Sequence, residues 1–203
     1  LNSLDQVARA LRAANQPQTL GYTLVQASNV ALVAGETARA ETLAREAVGI
    51  FAGLFGTAHG DTAFAGSALG AALAHRGAFA EAQRELDAAS ATEVATELGT
   101  SDFHADTLER QGDLLLRQRR SSEAQTKLEE ALALRRTNSP DGNLATGRTL
   151  TLLVAALDEP GYADRCRPLL SEAVRLLTKA LGPAHPDRQA AEQALAACPE
   201  KQL

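Results

Sequence analysis

The chain has 203 residues, a formal net charge of −5 and aromatic residues at only 3% of its length. It lacks a basic stripe with interleaved aromatics, which argues against a nucleic-acid surface, and no apolar run reaches the length of a membrane span. With 42 alanines, no Trp and no runs of Val, Ile, Thr and Tyr, the core must be close-packed Ala and Leu, helix on helix rather than sheet on sheet.

The first element, Leu1 to Asn15, places Leu4, Val7, Ala8 and Leu11 on one helical stripe. Paired helical segments follow: 19–34 with 36–54, 62–76 with 79–98, 104–118 with 121–136, and 146–158 with 162–181. A last helix spans Asp187 to Ala197, and Pro199 stops it. The pairs repeat every 42 residues. Gly35, Gly77, Arg119 and Gly161 share one register; Ala40, Ala82, Ala124 and Cys166 share a second. Ala47, Ala89, Ala131 and Ala173 make a third, and Ala44, Leu86, Leu128 and Leu170 a fourth. Ala31, Leu73, Leu115 and Leu157 make a fifth. The units fall at about 19–60, 61–102, 103–144 and 145–186 in a single array, after a truncated unit at 1–15 and before a capping helix at 187–198. The chain starts inside a unit at Leu1 and contains no Met, so it is expected to be a piece of a longer protein.

Two linkers are alike, "FGTAHGD" at Phe55 to Asp61 and "LGPAHPD" at Leu181 to Asp187. Gly56 and Gly182 are expected to end helices in the left-handed conformation. Pro186 suits the first turn of the next helix, Asp61 and Asp187 suit its positive end, and His59 and His185 are expected to cap it. Ser101 and Asn143 share the histidine register, although His104 suggests that the motif slips by three residues in the second linker. Glu41, Glu81 and Glu123 recur near second-helix starts, where they complement the helix dipole.

Leu69, Gly70, Leu73, Gly77, Ala82, Leu86 and Ala89 hold spaced small and apolar positions, and Gly112, Leu115, Ala124, Leu128 and Ala131 repeat them. This pattern resembles the tetratricopeptide repeat, in the 42-residue variety found in kinesin light chains and bacterial signalling proteins. The resemblance implies an all-α, right-handed solenoid of stacked antiparallel helix pairs, with about ten helices. Its first helices would line a concave groove. The groove candidates are then Tyr22, Gln26, Asn29 and Val33; Phe64, Ser67 and Ala71; Asp106, Glu109, Arg110, Asp113 and Arg117; and Arg148, Thr151 and Asp158. A protein or peptide segment is the expected occupant, with Phe64 and Arg110 important for binding but not for folding. The acidic Asp106, Glu109 and Asp113 disfavour a clamp for a terminal carboxylate, and of that clamp's residues only Asn29 matches. A structural spacer or self-assembly element is the alternative. The oligomeric state is left open.

No catalytic constellation, cofactor motif or metal-ligand spacing stands out, so an enzyme is not expected from this chain. The resemblance also points to the C-terminal region of a bacterial transmembrane serine/threonine kinase, or to a cytoplasmic peptide-responsive regulator. The two cysteines decide between them. Cys166 and Cys198 lie at the same end of an antiparallel helix pair, 15 residues before Leu181 and 17 after it. A disulfide is expected there, and it favours a periplasmic or other extracytoplasmic location.

Overall fold

The computed structural model describes residues 2–157 and 162–199. Among them it contains ten α-helices and no strand. They are α1 (Asn2–Ala13), α2 (Pro17–Val33), α3 (Thr37–Phe55), α4 (Gly60–Arg76) and α5 (Phe79–Ala95). Then come α6 (Asp102–Arg117), α7 (Ser121–Asn138), α8 (Leu144–Ala156), α9 (Tyr162–Ala180) and α10 (Pro186–Ala197). Each lies within a turn of its expected bounds. Gly161 and Asp158 fall outside the described residues.

The chain divides into two compact units, 1–110 and 111–203, with the boundary inside α6. In the first unit α2 packs on α3, α3 on α4 and α4 on α5, while α2 also touches α4. In the second, α7 packs on α8, α8 on α9 and α9 on α10, while α8 also touches α10.

Small residues let these helices approach. A Cβ on Gly70 would stand 2.6 Å from Leu86 Cγ and 3.3 Å from the Ala82 carbonyl oxygen. One repeat later, a Cβ on Gly112 would stand 2.6 Å from Leu128 Cγ. The second-helix faces recur as read, with Ala40, Ala82, Ala124 and Cys166 all fully buried. The first repeat holds Ser28 where the next two repeats have Gly70 and Gly112, and its buried hydroxyl donates to the Ala40 carbonyl at 2.8 Å. The fourth repeat places Val154 there, packed on Cys166 and Leu170.

A second small-residue seam also repeats. Gly21, Ala63, Ala105 and Gly147 are 42 apart, and all but glycine in this set are alanine. A Cβ on Gly21 would meet Phe51 Cζ at 2.6 Å, and one on Gly147 would meet Leu177 Cγ at 2.9 Å. The partners Phe51 and Leu177 are themselves in one register, with Glu93 and Arg135 between them. All four are buried.

Helix ends follow the repeat as well. Gly35 (φ 77°), Gly77 (φ 86°) and Arg119 (φ 61°) all take positive φ. Each is closed by the following N–H reaching back five residues: Glu36 to Ala31, Ala78 to Leu73, and Arg120 to Leu115, at 2.8–2.9 Å. Arg119 thus holds a conformation that favours glycine. At the helix starts, His59 Nδ1 accepts from Asp61 N at 3.1 Å and His185 Nδ1 from Asp187 N at 3.3 Å. Ser101 Oγ accepts from His104 N, and Asn143 forms a capping box with Thr146. The capping register therefore does not slip in the second linker, because Ser101 does there what the histidines do elsewhere. Gly182 is a correction too, since it is not among the positive-φ residues, whereas Gly56 does take a positive φ (89°) that favours glycine, with ψ 168° outside the left-handed helical well.

Candidate functional site

The sequence candidates up to Arg110 lie on α2, α4 and the first part of α6, all in the first unit. Three of them meet. Arg110 Nη1 donates to Ser67 Oγ at 2.8 Å and Nη2 to Asn29 Oδ1 at 3.3 Å. One guanidinium thus ties three successive first helices, which its planar fork suits.

Behind it lies a buried polar cluster that the groove pattern did not reveal. Ser67 Oγ is 2.9 Å from Thr107 Oγ1. The Thr107 hydroxyl donates to Glu93 Oε1 at 2.8 Å, and His104 Nδ1 is 2.9 Å from Glu93 Oε2. Glu93 is only 1% exposed. Burial pushes its carboxyl above the usual range, against the hydrogen bonds from His104 and Thr107 and the field of Arg110, which lower it. The signal was available: Glu93 occupies the register of Phe51 and Leu177, where a charge must be buried with partners.

Aromatic side chains form a second assembly. Tyr22 meets Phe51 edge-on at 5.0 Å and Phe64 at 6.0 Å, and Phe64 meets Phe103 edge-on at 5.0 Å. Phe51 stacks in turn near Phe55 at 6.4 Å. Four of the five phenylalanines and one of the two tyrosines are thereby gathered in one row. The Tyr22 hydroxyl donates to Asp61 Oδ1 at 2.5 Å. Burial first, then this carboxylate, push the phenol up to about 12. Phe64 is 9% exposed, enclosed by its neighbours. It is therefore a packing residue, contrary to the expectation that it would not matter to folding. Phe103, which the sequence reading did not select, is 45% exposed at the end of the row.

The remaining candidates are scattered by environment. Gln26 and Val33 are exposed, Ala71 and Asp106 half-buried, and Ser67 and Glu109 buried. In the second unit Arg117 Nε pairs with Asp113 Oδ2 at 2.9 Å, Arg148 Nε with Asp187 Oδ2 at 3.3 Å, and Thr151 bonds its own helix at the Gly147 carbonyl. Glu41 does more than complement a dipole, since it bridges Arg45 at 2.8 Å and Arg76 at 2.9 Å. The expected disulfide is present, with Cys166 and Cys198 Cα atoms 6.2 Å apart. Among the described residues no group of three or more His, Cys, Asp or Glu could hold a metal ion, and no helix is long and apolar enough to cross a membrane.

This arrangement of stacked antiparallel pairs with small-residue seams is a tetratricopeptide-like helical-repeat fold. Solved structures bear this out. Kinesin light chain TPR-like repeats from Podosopora anserina align over 89% of this chain and 85% of theirs, with a TM-score of 0.64 and 20% identity. A variant of the same repeats gives the same score over 84% of its length. BtubC (BKLC) from P. vanneervenii aligns over 97% of this chain and 79% of its own, with a TM-score of 0.70 and 17% identity. No protein-family model and no curated protein matches the chain.

Proposed function

We propose that the chain is a protein-interaction module whose first-helix face, in the unit spanning 1–110, binds a peptide or partner segment. The observation that carries this reading is the convergence of Asn29, Ser67 and Arg110 from three successive repeats. Such cross-bracing fixes the spacing of the helices and so preorganises the surface they present. A spacer needs no such alignment of polar side chains along one face. The array of four 42-residue units belongs to the same proposal, and within the unit 111–203 Asp113, Arg117, Arg148 and Thr151 are its first-helix candidates.

The disulfide supports an oxidising, extracytoplasmic setting, since such bonds persist there. The repeat-length resemblance and that bond together support reading it as the sensor or scaffold region of a larger bacterial signalling protein, such as a serine/threonine kinase. Photo-crosslinking tests the face directly. A crosslinking residue at exposed Gln26 on α2 is compared with one at exposed Ala88 on α5 in extracts of the source cells. A partner captured from Gln26 and not from Ala88 supports the reading; capture from neither, or equally from both, contradicts it.

A further inference from the structure

The turn between α6 and α7 carries a long side chain where the other repeats carry none. Gly35, Gly77, Arg119 and Gly161 share one register, and only the third repeat departs from glycine. Arg119 nevertheless takes the glycine conformation, with φ 61° against 77° at Gly35 and 86° at Gly77. The turn closes as theirs do, with Arg120 N donating to the Leu115 carbonyl at 2.9 Å. A Cβ disfavours this backbone conformation, and the arginine side chain adds nothing to the bonds that close the turn. Asn15 and Glu97 also take positive φ. Asparagine tolerates the left-handed region, and the register of Glu97 holds Phe55, Ser139 and Leu181 rather than glycine.

The arginines on either side are matched close by in sequence. Arg117 Nε meets Asp113 Oδ2 at 2.9 Å. Arg120 grips Glu123 through Nε at 2.7 Å and Nη2 at 2.6 Å, and its Nη1 donates to Gln118 Oε1 at 2.9 Å. Arg119 is exposed, and among the described residues no side chain bonds or pairs with its guanidinium. Strain kept at a surface position with no internal contact to show for it points to a use outside the chain. A guanidinium is a planar fork of donors that fits a carboxylate in bidentate fashion. The chain as a whole carries a net charge of −5, so it repels an acidic partner in general, and an unmatched cation fixes where such a partner lands.

We propose that the α6–α7 turn docks an acidic segment of a partner protein, with one of its carboxylates held by the Arg119 guanidinium. The turn lies in the unit 111–203. The contact therefore goes beyond the first-helix face of 1–110, and its failure would leave that reading standing.

Arg119→Gly removes the guanidinium and gives the turn the residue its counterparts use, so loss of fold cannot account for loss of binding. The full chain, with its disulfide intact, is titrated against two fluorescein-labelled peptides, one of alternating Glu and Ser and one of alternating Gln and Ser. Anisotropy reads the affinity, and circular dichroism melts accompany each variant. The Glu peptide is expected to bind more tightly than the Gln peptide, and Arg119→Gly or high salt to weaken it roughly three- to tenfold. Arg119→Lys keeps the charge without the fork and should fall between the wild type and Arg119→Gly. Equal affinity for the two peptides, binding of neither, or a Glu-peptide affinity that Arg119→Gly leaves unchanged overturns the proposal. Phosphatidylserine vesicles are the last arm. If they bind through Arg119 and the Glu peptide does not, the occupant is an anionic lipid surface and the acidic-segment proposal falls.

Discussion

Glu93 and Arg135 occupy the same position in successive repeats, 42 residues apart, and both are buried with a threonine as partner. Thr107 donates to Glu93 at 2.8 Å, and Arg135 Nε donates to Thr149 at 2.8 Å. The threonines are also 42 residues apart, so one polar contact has been kept while its charge is reversed. Phe51 and Leu177 fill the same place with apolar side chains. The repeat geometry thus accepts opposite charges at a core position, provided each is hydrogen-bonded.

Removing the Glu93 carboxylate should therefore be costly. Glu93→Ala leaves His104 and Thr107 without their acceptor and should destabilise the chain by about 3 kcal/mol in urea unfolding. A loss under about 1 kcal/mol would mean that the cluster is not closed around Glu93.

The pH dependence has a definite sign. Burial raises the Glu93 carboxyl in the folded chain above its ordinary value of 4.5. A raised pKa means that the folded state binds the proton more tightly than the unfolded one. Its contribution is therefore fully present below the unfolded value and is lost as pH rises through the folded one. Unfolding free energies of the wild type relative to Glu93→Gln, measured across that range, should decline with rising pH. An increase with pH would show that pairing with His104 outweighs burial.

The glycines separate close approach from mere flexibility. Gly70→Ala and Gly112→Ala each drive a methyl to within 2.6 Å of a leucine and should cost roughly 1–3 kcal/mol. Gly53→Ala in α3 meets nothing within 4 Å and should gain up to about 1 kcal/mol from helix propensity. Arg119→Gly relieves a left-handed arginine at φ 61° and should gain about 1 kcal/mol. Thermal melts of the four variants check these signs together.

The disulfide predicts a chemical result. Alkylation without reductant should leave the mass unchanged, and alkylation after reduction should add two labels. Reduction should weaken the Cys166–Cys198 end by roughly 3–4 kcal/mol on the chain-entropy model for a 32-residue separation. Two labels without reductant would remove the bond and the support it lends to an oxidising compartment.

Most of this fold was legible from spacing. Small residues at 40, 82, 124 and 166, or at 47, 89, 131 and 173, can recur only if backbones approach there, so the helix pairs and their inward faces could be read directly. The caps were legible where the residue type repeated, as His59 and His185 do, and obscured where Ser101 performs the same task with a different side chain. The polar cluster was harder. Ser67, Thr107, Glu93 and His104 come from three helices, and no local pattern says which hydroxyl a buried carboxylate will find. Phe103 stood outside the expected groove positions because its exposure depends on what packs beside Phe64, a tertiary fact. Gly182 was misread because a glycine near a helix end permits a left-handed residue without requiring one.

Hydrogen exchange of the chain with and without its crosslinked partner tests the first-helix face most directly. Binding as proposed should slow exchange at amides of α2, α4 and 102–110, and leave α3 and α5 unchanged. Protection confined to α3 and α5, with none on the first helices, would contradict it.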